Sequence, residues 1–377
     1  MRRVITSAAV LAVIGSALVG CGSSDDSGSS GDGEAASTSQ VAVAAQDVVK
    51  PYLAAPSEFP ITEPLKGSAA GKKIAYLDSG TPVSALELTF AQEAAKKLGM
   101  TVDRIDAGFQ ADSIQNAFDT VLAKGYDGVI DAGLPMPLAE RGLQDLADAG
   151  TPAVGFGLGK GDKSLVPVSQ SSDVANRKAG AVLADYVVAT YGEDVDTVYY
   201  YVPEIESTRF SYEAFSEEVE KLCSTCKVRS AEIPIADLGT KAPSDVIADL
   251  QAHPDTKQAA FAVGEMAIGL PAAMKTSGLE VDTVTVAPGQ DSLQQIKDGD
   301  MRAGVGFDFT FIGWAQVDSL ARLVQGQAPS QAVLDDVIPM QVITQDSVTD
   351  DMVKDGWSGF PDIADRFDEL WSKALAS

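Results

Sequence analysis

Few residues in this chain are equipped for chemistry: three cysteines and a single histidine stand among 377 residues. Cys223-Ser224-Thr225-Cys226 has the spacing of a redox dithiol, half a zinc site or a local disulfide. Zinc needs two further ligands of the right type, and His253 sits in a Gln-Ala-His-Pro-Asp turn with no partner motif. A redox dithiol belongs at the start of a helix, where the dipole lowers the thiol pKa, whereas this pair follows the helix expected over Tyr212–Leu222. In an oxidising compartment a structural disulfide is the expected state. One histidine leaves no His-based triad, and there is no Gly-x-Ser-x-Gly elbow for a nucleophilic serine. The glycine-rich run from Gly155 to Gly161 looks like a phosphate cradle, but such a cradle ends in Gly-Lys-Ser or Gly-Lys-Thr. The counterpart here reads Asp162-Lys163-Ser164, which puts a carboxylate where phosphate would sit, so the run reads as a flexible loop. Acidic pairs abound, and no spacing singles out a glycosidase dyad. No catalytic residue, metal site or cofactor is expected, and the chain does not read as an enzyme.

Cys21 has a different use. Arg2 and Arg3 precede an apolar run, Val4 to Val19, that is short for a membrane span and has the layout of a signal peptide. It ends in Leu18-Val19-Gly20-Cys21, which resembles the bacterial lipobox, so residues 1–20 are expected to be removed and Cys21 to carry lipid. Residues 21–40 contain no aromatic and no aliphatic side chain larger than alanine. Such a stretch cannot bury enough apolar surface to offset its conformational entropy and reads as a flexible tether. No other segment reaches the roughly 18 consecutive apolar residues of a membrane helix. The net charge of -26 argues against nucleic acid or an anionic membrane surface as partners of the folded body.

The elements that would position any site alternate regularly. Short apolar runs at 73–77, 101–105, 126–130 and 152–156 alternate with helical periodicity at 84–98, 113–123 and 138–149. The rhythm restarts with a helix at 174–191, then strands at 197–202, 228–233, 259–263 and 283–287 separated by helices at 210–222, 243–251 and 266–276, with a last helix at 293–298. Parallel neighbours need crossover helices, so two such series predict an α/β protein of two doubly wound parallel-sheet lobes. In that architecture ligands bind beyond the carboxyl ends of the strands, and two facing lobes make a cleft.

Several landmarks then fall in order: Gly125-Tyr126-Asp127-Gly128-Val129-Ile130, Ala149-Gly150-Thr151-Pro152-Ala153-Val154, Ser172-Asp173 with Gly180, Glu265-Met266-Ala267-Ile268-Gly269 and Ile296-Lys297-Asp298-Gly299. From about Lys72 to Ile343 the chain resembles the type 1 periplasmic binding proteins of the ribose and galactose class. The resemblance implies two lobes joined by three crossovers that close over a ligand and present it to an ABC permease. After an N-terminal extension at 41–71, lobe one is expected at 72–171 plus 308–337. Lobe two is expected at 172–307 plus 338–377, the last part being a helical extension with an apolar-periodic helix over 363–375. The sugar-binding positions of that family are altered here. Thr81-Pro82-Val83-Ser84 stands where aromatics sandwich a sugar, and Gly157 followed by Leu158 stands where an Asp grips it. Val263-Gly264, Pro288 and Phe307 replace further polar residues, and Arg209 alone matches the family's ligand-binding arginine. An unpaired buried polar group costs about 1 to 3 kcal/mol, and a sugar presents many hydroxyls. The expected ligand is therefore carbon-rich, aromatic or alicyclic, with Arg209 placed to hold a carboxylate or other acceptor. Phe156, Leu158, Leu238 and Phe307 would form the walls, and Thr81, Ser84, Glu206 and Asp308 the polar contacts. A sugar or polyol held by other groups, such as Asp112 and Glu265, is the alternative ligand; signalling to a membrane kinase is the alternative role for this lipid-anchored, extracytoplasmic monomer. The anchor is directly testable: Cys21→Ser should move the protein from the membrane to the soluble fraction, and an unchanged membrane fraction would contradict lipidation.

Overall fold

The computed structural model describes residues 39–158 and 164–375; the expected signal peptide, Cys21, nearly all of the expected tether and the last three residues of the Gly155–Gly161 run lie outside them. Five strands form the first sheet: β1 (Lys73–Asp78), β2 (Thr101–Asp106), β3 (Gly128–Ala132), β4 (Ala153–Phe156) and β5 (Val168–Gln170). They are all parallel, in the order β2-β1-β3-β4-β5. The second sheet contains β6 (Asp196–Tyr201), β7 (Lys227–Glu232), β8 (Gln258–Phe261), β9 (Asp282–Val286), β10 (Ala303–Phe307) and β11 (Met340–Thr344). Its order is β11-β10-β9-β8-β6-β7, parallel except for the antiparallel edge pair β10–β11. Central strands such as β3 and β10 are buried at every position, as a sheet covered by helices on both faces requires.

Helix boundaries follow local chemistry. The helix Ala111–Lys124 stops at Gly125 and Gln290–Asp298 stops at Gly299, both glycines taking the left-handed conformation that closes a helix at little cost. One expected helix is two pieces. Residues 264–267 form a single tight turn, and Gly269, left-handed, separates it from Leu270–Ser277, which starts afresh with Pro271 in its first turn. Glycine also sets the spacing of the two long helices of the second lobe. Asp173–Tyr191 and Glu206–Leu222 pack so closely that a Cβ at Gly180 would lie 2.0 Å from the Ser211 carbonyl oxygen.

The chain passes between the lobes near residues 171, 307 and 337, and buried aspartates tie these passages together. Asp336 Oδ2 accepts from Ser172 N at 2.9 Å, Ser172 Oγ at 2.6 Å and Ala175 N at 3.1 Å. Ser171 and Asp336 both have left-handed backbone, φ 53° and 52°, which is strained for residues with a Cβ. Asp308 lies wholly buried in the second passage, where it caps the helix Phe309–Leu323 through Phe311 N at 2.9 Å and accepts from Gly359 N at 2.8 Å. Burial raises both carboxyls to about 6, against the lowering effect of these hydrogen bonds.

Two more passages lie outside that frame. The helix Gln40–Val49 begins at the last residue of the expected tether and packs on the second lobe, while Ile61 and Leu65 enter the core of the first. At the other end Trp357 lies on the second lobe, with Nε1 donating to Gln341 Oε1 at 3.0 Å, and three residues later Phe360 enters the first lobe's core. The helix Ile363–Leu375 follows it there: Trp371 stacks on Trp314 at 5.6 Å and donates to Asp318 Oδ1 at 2.8 Å. The expectation that residues 338–377 belong wholly to the second lobe is thereby corrected, because the apolar face of this last helix is covered by the helix Phe309–Leu323 of the first.

Two predictions follow from the packing. Gly180→Ala should destabilise the chain by about 1–3 kcal/mol, since backbone rather than a movable side chain blocks the methyl; an unchanged unfolding midpoint would contradict the close approach. Glu87, fully buried on the helix Pro82–Lys97, accepts from Tyr76 OH at 3.1 Å, and burial raises it to about 8. The folded chain holds a proton there that the unfolded chain releases, so this group's contribution is complete below about pH 4.5 and is lost as pH rises through about 8. Glu87→Gln should lose less stability than the parent between pH 5 and 8; parallel curves would contradict it.

Candidate functional site

The strand order reverses beside β1 in the first sheet and beside β6 in the second, and the loops leaving the carboxyl ends there face one another. Between them lies a cavity of about 800 Å³, within the size range of small-molecule sites. The first lobe contributes Pro82 and Val83 after β1, Phe109 after β2, Leu134 to Pro137 after β3 and Phe156 to Leu158 at the end of β4. From the second come Pro203 to Arg209 after β6, Ile235 and Leu238 after β7, Val263, Glu265 and Ile268 after β8, and Phe307 at the end of β10; Phe309, at the start of the helix that returns to the first lobe, completes the lining. Phe309 joins the walls into one aromatic group, with ring centroids 6.0 Å from Phe156 and 5.6 Å from Phe307.

Polar side chains on this lining are mostly committed to protein partners. Thr81 Oγ1 accepts from Ser84 N at 3.1 Å, and Thr208 Oγ1 both accepts from Val202 N at 3.1 Å and donates to Val202 O at 2.8 Å. Asn176 donates to the Ser171 and Ser172 carbonyls at 2.7 and 2.9 Å, holding the first passage between lobes. Glu204 accepts from Ile235 N at 3.2 Å. Arg209 binds Glu206 at 3.2 Å and Glu213, so its charge is met within its own helix at the i−3 and i+4 positions. Glu265 forms no ion pair among the described residues. Burial raises its carboxyl above the usual range, with its own backbone N–H pulling the other way.

The periplasmic binding protein domain model matches residues 84–328, well over half of the chain. The chain belongs to the periplasmic binding protein family. This periplasmic binding protein has the type 1 architecture of two parallel-sheet lobes, and solved structures show the same fold. A solute binding protein of an ABC transporter from Agrobacterium vitis, bound with alpha-D-tagatopyranose, is 21% identical with a TM-score of 0.65, covering 76% of this chain and 99% of that one. A second from Agrobacterium vitis, with bound allitol, is 20% identical with a TM-score of 0.64, covering 75% and 97%. An ABC sugar transporter subunit from Rhodobacter sphaeroides is 20% identical with a TM-score of 0.63, covering 74% and 100%. Comparison with curated proteins gives no match.

Of the residues singled out from sequence, Thr81, Phe156, Leu158, Glu206, Arg209, Leu238 and Phe307 line the cavity of this binding protein. Leu158 does so with one edge only, since it is buried in the first lobe's core. Ser84 and Asp308 do not line it. Ser84 is buried, donating to Asp78 Oδ1 at 2.5 Å and accepting from Tyr76 OH at its carbonyl at 2.7 Å, and Asp308 is spent on capping and hinge contacts. Glu265 lines the cavity and the exposed Asp112 does not. Phe109, Met136, Ile235, Ile268 and Phe309 were missing from the expected set, although each stands shortly after a strand's carboxyl end, which is the signal that could have found them. Cys223 and Cys226 are joined by a disulfide with Cα atoms 5.4 Å apart, after the helix Glu206–Leu222 and away from the cavity lining.

Proposed function

We propose that this binding protein is the extracytoplasmic receptor lipoprotein of an ABC importer, anchored through Cys21 and working as a monomer without catalysis. Its two lobes close over a small organic ligand less polar than a sugar. The observation that carries the ligand class is the lining itself: rings, prolines and aliphatic side chains converge on a cavity where Thr81, Thr208 and Asn176 are already bonded to backbone groups and Arg209 to glutamates. A sugar entering it would exchange hydrogen bonds to water for few replacements, each loss costing about 1–3 kcal/mol. A carbon-rich body would gain about 25 cal/mol for each Å² of apolar surface removed from water. Arg209 faces the cavity, but its two glutamate partners leave it a weaker candidate for holding a ligand carboxylate than the family pattern implies.

One observation favours a second reading. Two Agrobacterium vitis neighbours are bound with tagatopyranose and allitol, so a sugar or polyol held by a rearranged set of polar groups is the alternative. The test is thermal unfolding of the full chain against a panel of sugars, polyols and aromatic or alicyclic compounds. Ligand at a hundred times its dissociation constant adds about 2.7 kcal/mol, raising the midpoint by roughly 5 °C. Shifts confined to the carbon-rich compounds are expected; shifts confined to sugars and polyols would overturn the reading.

A further inference from the structure

We infer that the ligand is an organic cation, an amine or ammonium group carried on an apolar body. This rests on the carbon-rich reading of the same cavity and adds a charge to it. Three carboxylates line the cavity, Glu204, Glu206 and Glu265, and the one cation on the described lining is Arg209. Arg209 is shared between Glu206 and Glu213, so it has no positive charge to spare for the others. The described lining is therefore net negative, a field that attracts cations and repels carboxylates.

Glu265 is the focus of that field. It sits on the tight turn 264–267 at the end of β8, in a partly buried position among apolar neighbours, and no described lysine, arginine or histidine pairs with it. A carboxylate withdrawn from water is stable in its charged form only beside a cation or several hydrogen-bond donors. The turn supplies only Glu265's own backbone N–H. A ligand ammonium would complete the site, and its arrival would favour the ionised carboxylate that burial disfavours.

The aromatic group supplies the second half of the recognition. Phe156, Phe307 and Phe309 lie within 6.0 Å of their neighbours in the chain of ring contacts and all face the cavity. Ring faces attract ammonium groups and also accept the apolar surface around them. Benzene rings and a lone carboxylate suit an alkylated ammonium better than a sugar, whose hydroxyls they cannot serve.

The test is a matched set of probes titrated into the full chain: benzyltrimethylammonium and phenethylamine as cations, neopentylbenzene as the uncharged counterpart of the first, 3-phenylpropionate as the anion, and tagatose and allitol as the polar controls. At least one cation should bind about tenfold or more tightly than the neutral and anionic probes, the scale of a desolvated charge-assisted contact. Glu265→Gln should abolish that preference while leaving neopentylbenzene affinity within about twofold, and it should not lower the unfolding midpoint of the free chain, since this partly buried carboxylate has no ion pair to lose among the described residues. Glu265→Asp, which keeps the charge, should retain part of the preference and serves if the glutamine variant folds poorly. Equal or tighter binding of neopentylbenzene or 3-phenylpropionate, or no cation binding at all, overturns the cation and leaves the carbon-rich reading intact. Binding of tagatose or allitol alone overturns both.

Discussion

The carboxylate of Asp336 holds together two of the segments that join the lobes. It gathers two backbone N–H groups and a hydroxyl from the start of the helix Asp173–Tyr191, so the first and third passages between lobes meet at one buried charge. Three donors offset much of the desolvation that would otherwise neutralise it. The same bonds hold Ser171 and Asp336 in left-handed backbone, a conformation that persists only where its surroundings over-determine it. Asp308 does the corresponding work in the second passage, joining a helix start to the incoming C-terminal segment. With the passages pinned, the carboxyl ends of both sheets are aimed at a common space, and the contents of that space decide function.

Polar chemistry in this protein is concentrated at the hinge and beneath the cavity floor rather than on the cavity walls. Asn176 is turned onto the first passage, Ser84 and Asp78 face the buried Tyr76, and Arg209 is enclosed by glutamates of its own helix. What lines the cavity is mainly carbon, broken by Glu204 and Glu265, neither of which has an ion pair among the described residues, and of the two only Glu265 is partly buried. Apolar burial rewards any carbon-rich body of suitable size, while a buried charge rewards only its opposite, so Glu265 is where the cavity would gain selectivity. The two terminal segments add apolar contacts to each lobe: Phe59 packs edge-on to Phe311, Phe360 and Phe367 in the first lobe's core, and Trp357 packs with Leu293 and Ile343 on the second.

The fold was legible in sequence because parallel strands buried on both faces leave short apolar runs, and the helices between them keep their own period. The position of the site followed from the strand ends. Identity of the contacts was less legible, because the sequence does not say which way a side chain turns. Ser84 stands in a segment where family members contact ligand and Asp308 next to another such position, yet each turns inward; for Asp308 the aspartate just ahead of a helix was a readable capping signal. Glu206, Arg209 and Glu213 at helical spacing were likewise readable as a paired set. The lobe chosen by the helix Ile363–Leu375 was not readable, because its apolar stripe fits either core and only the short link from Trp357 to Phe360 decides between them.

Calorimetric titration of the full chain with tagatose and allitol tests most directly whether this cavity serves a polyhydroxylated ligand. No saturable heat is expected with either at millimolar concentration, because most of the polar side chains on the cavity wall are already bonded within the protein. Saturable binding of either in the micromolar range would contradict it, and would mean that the hydrogen bonds closing off the cavity wall open to admit a sugar.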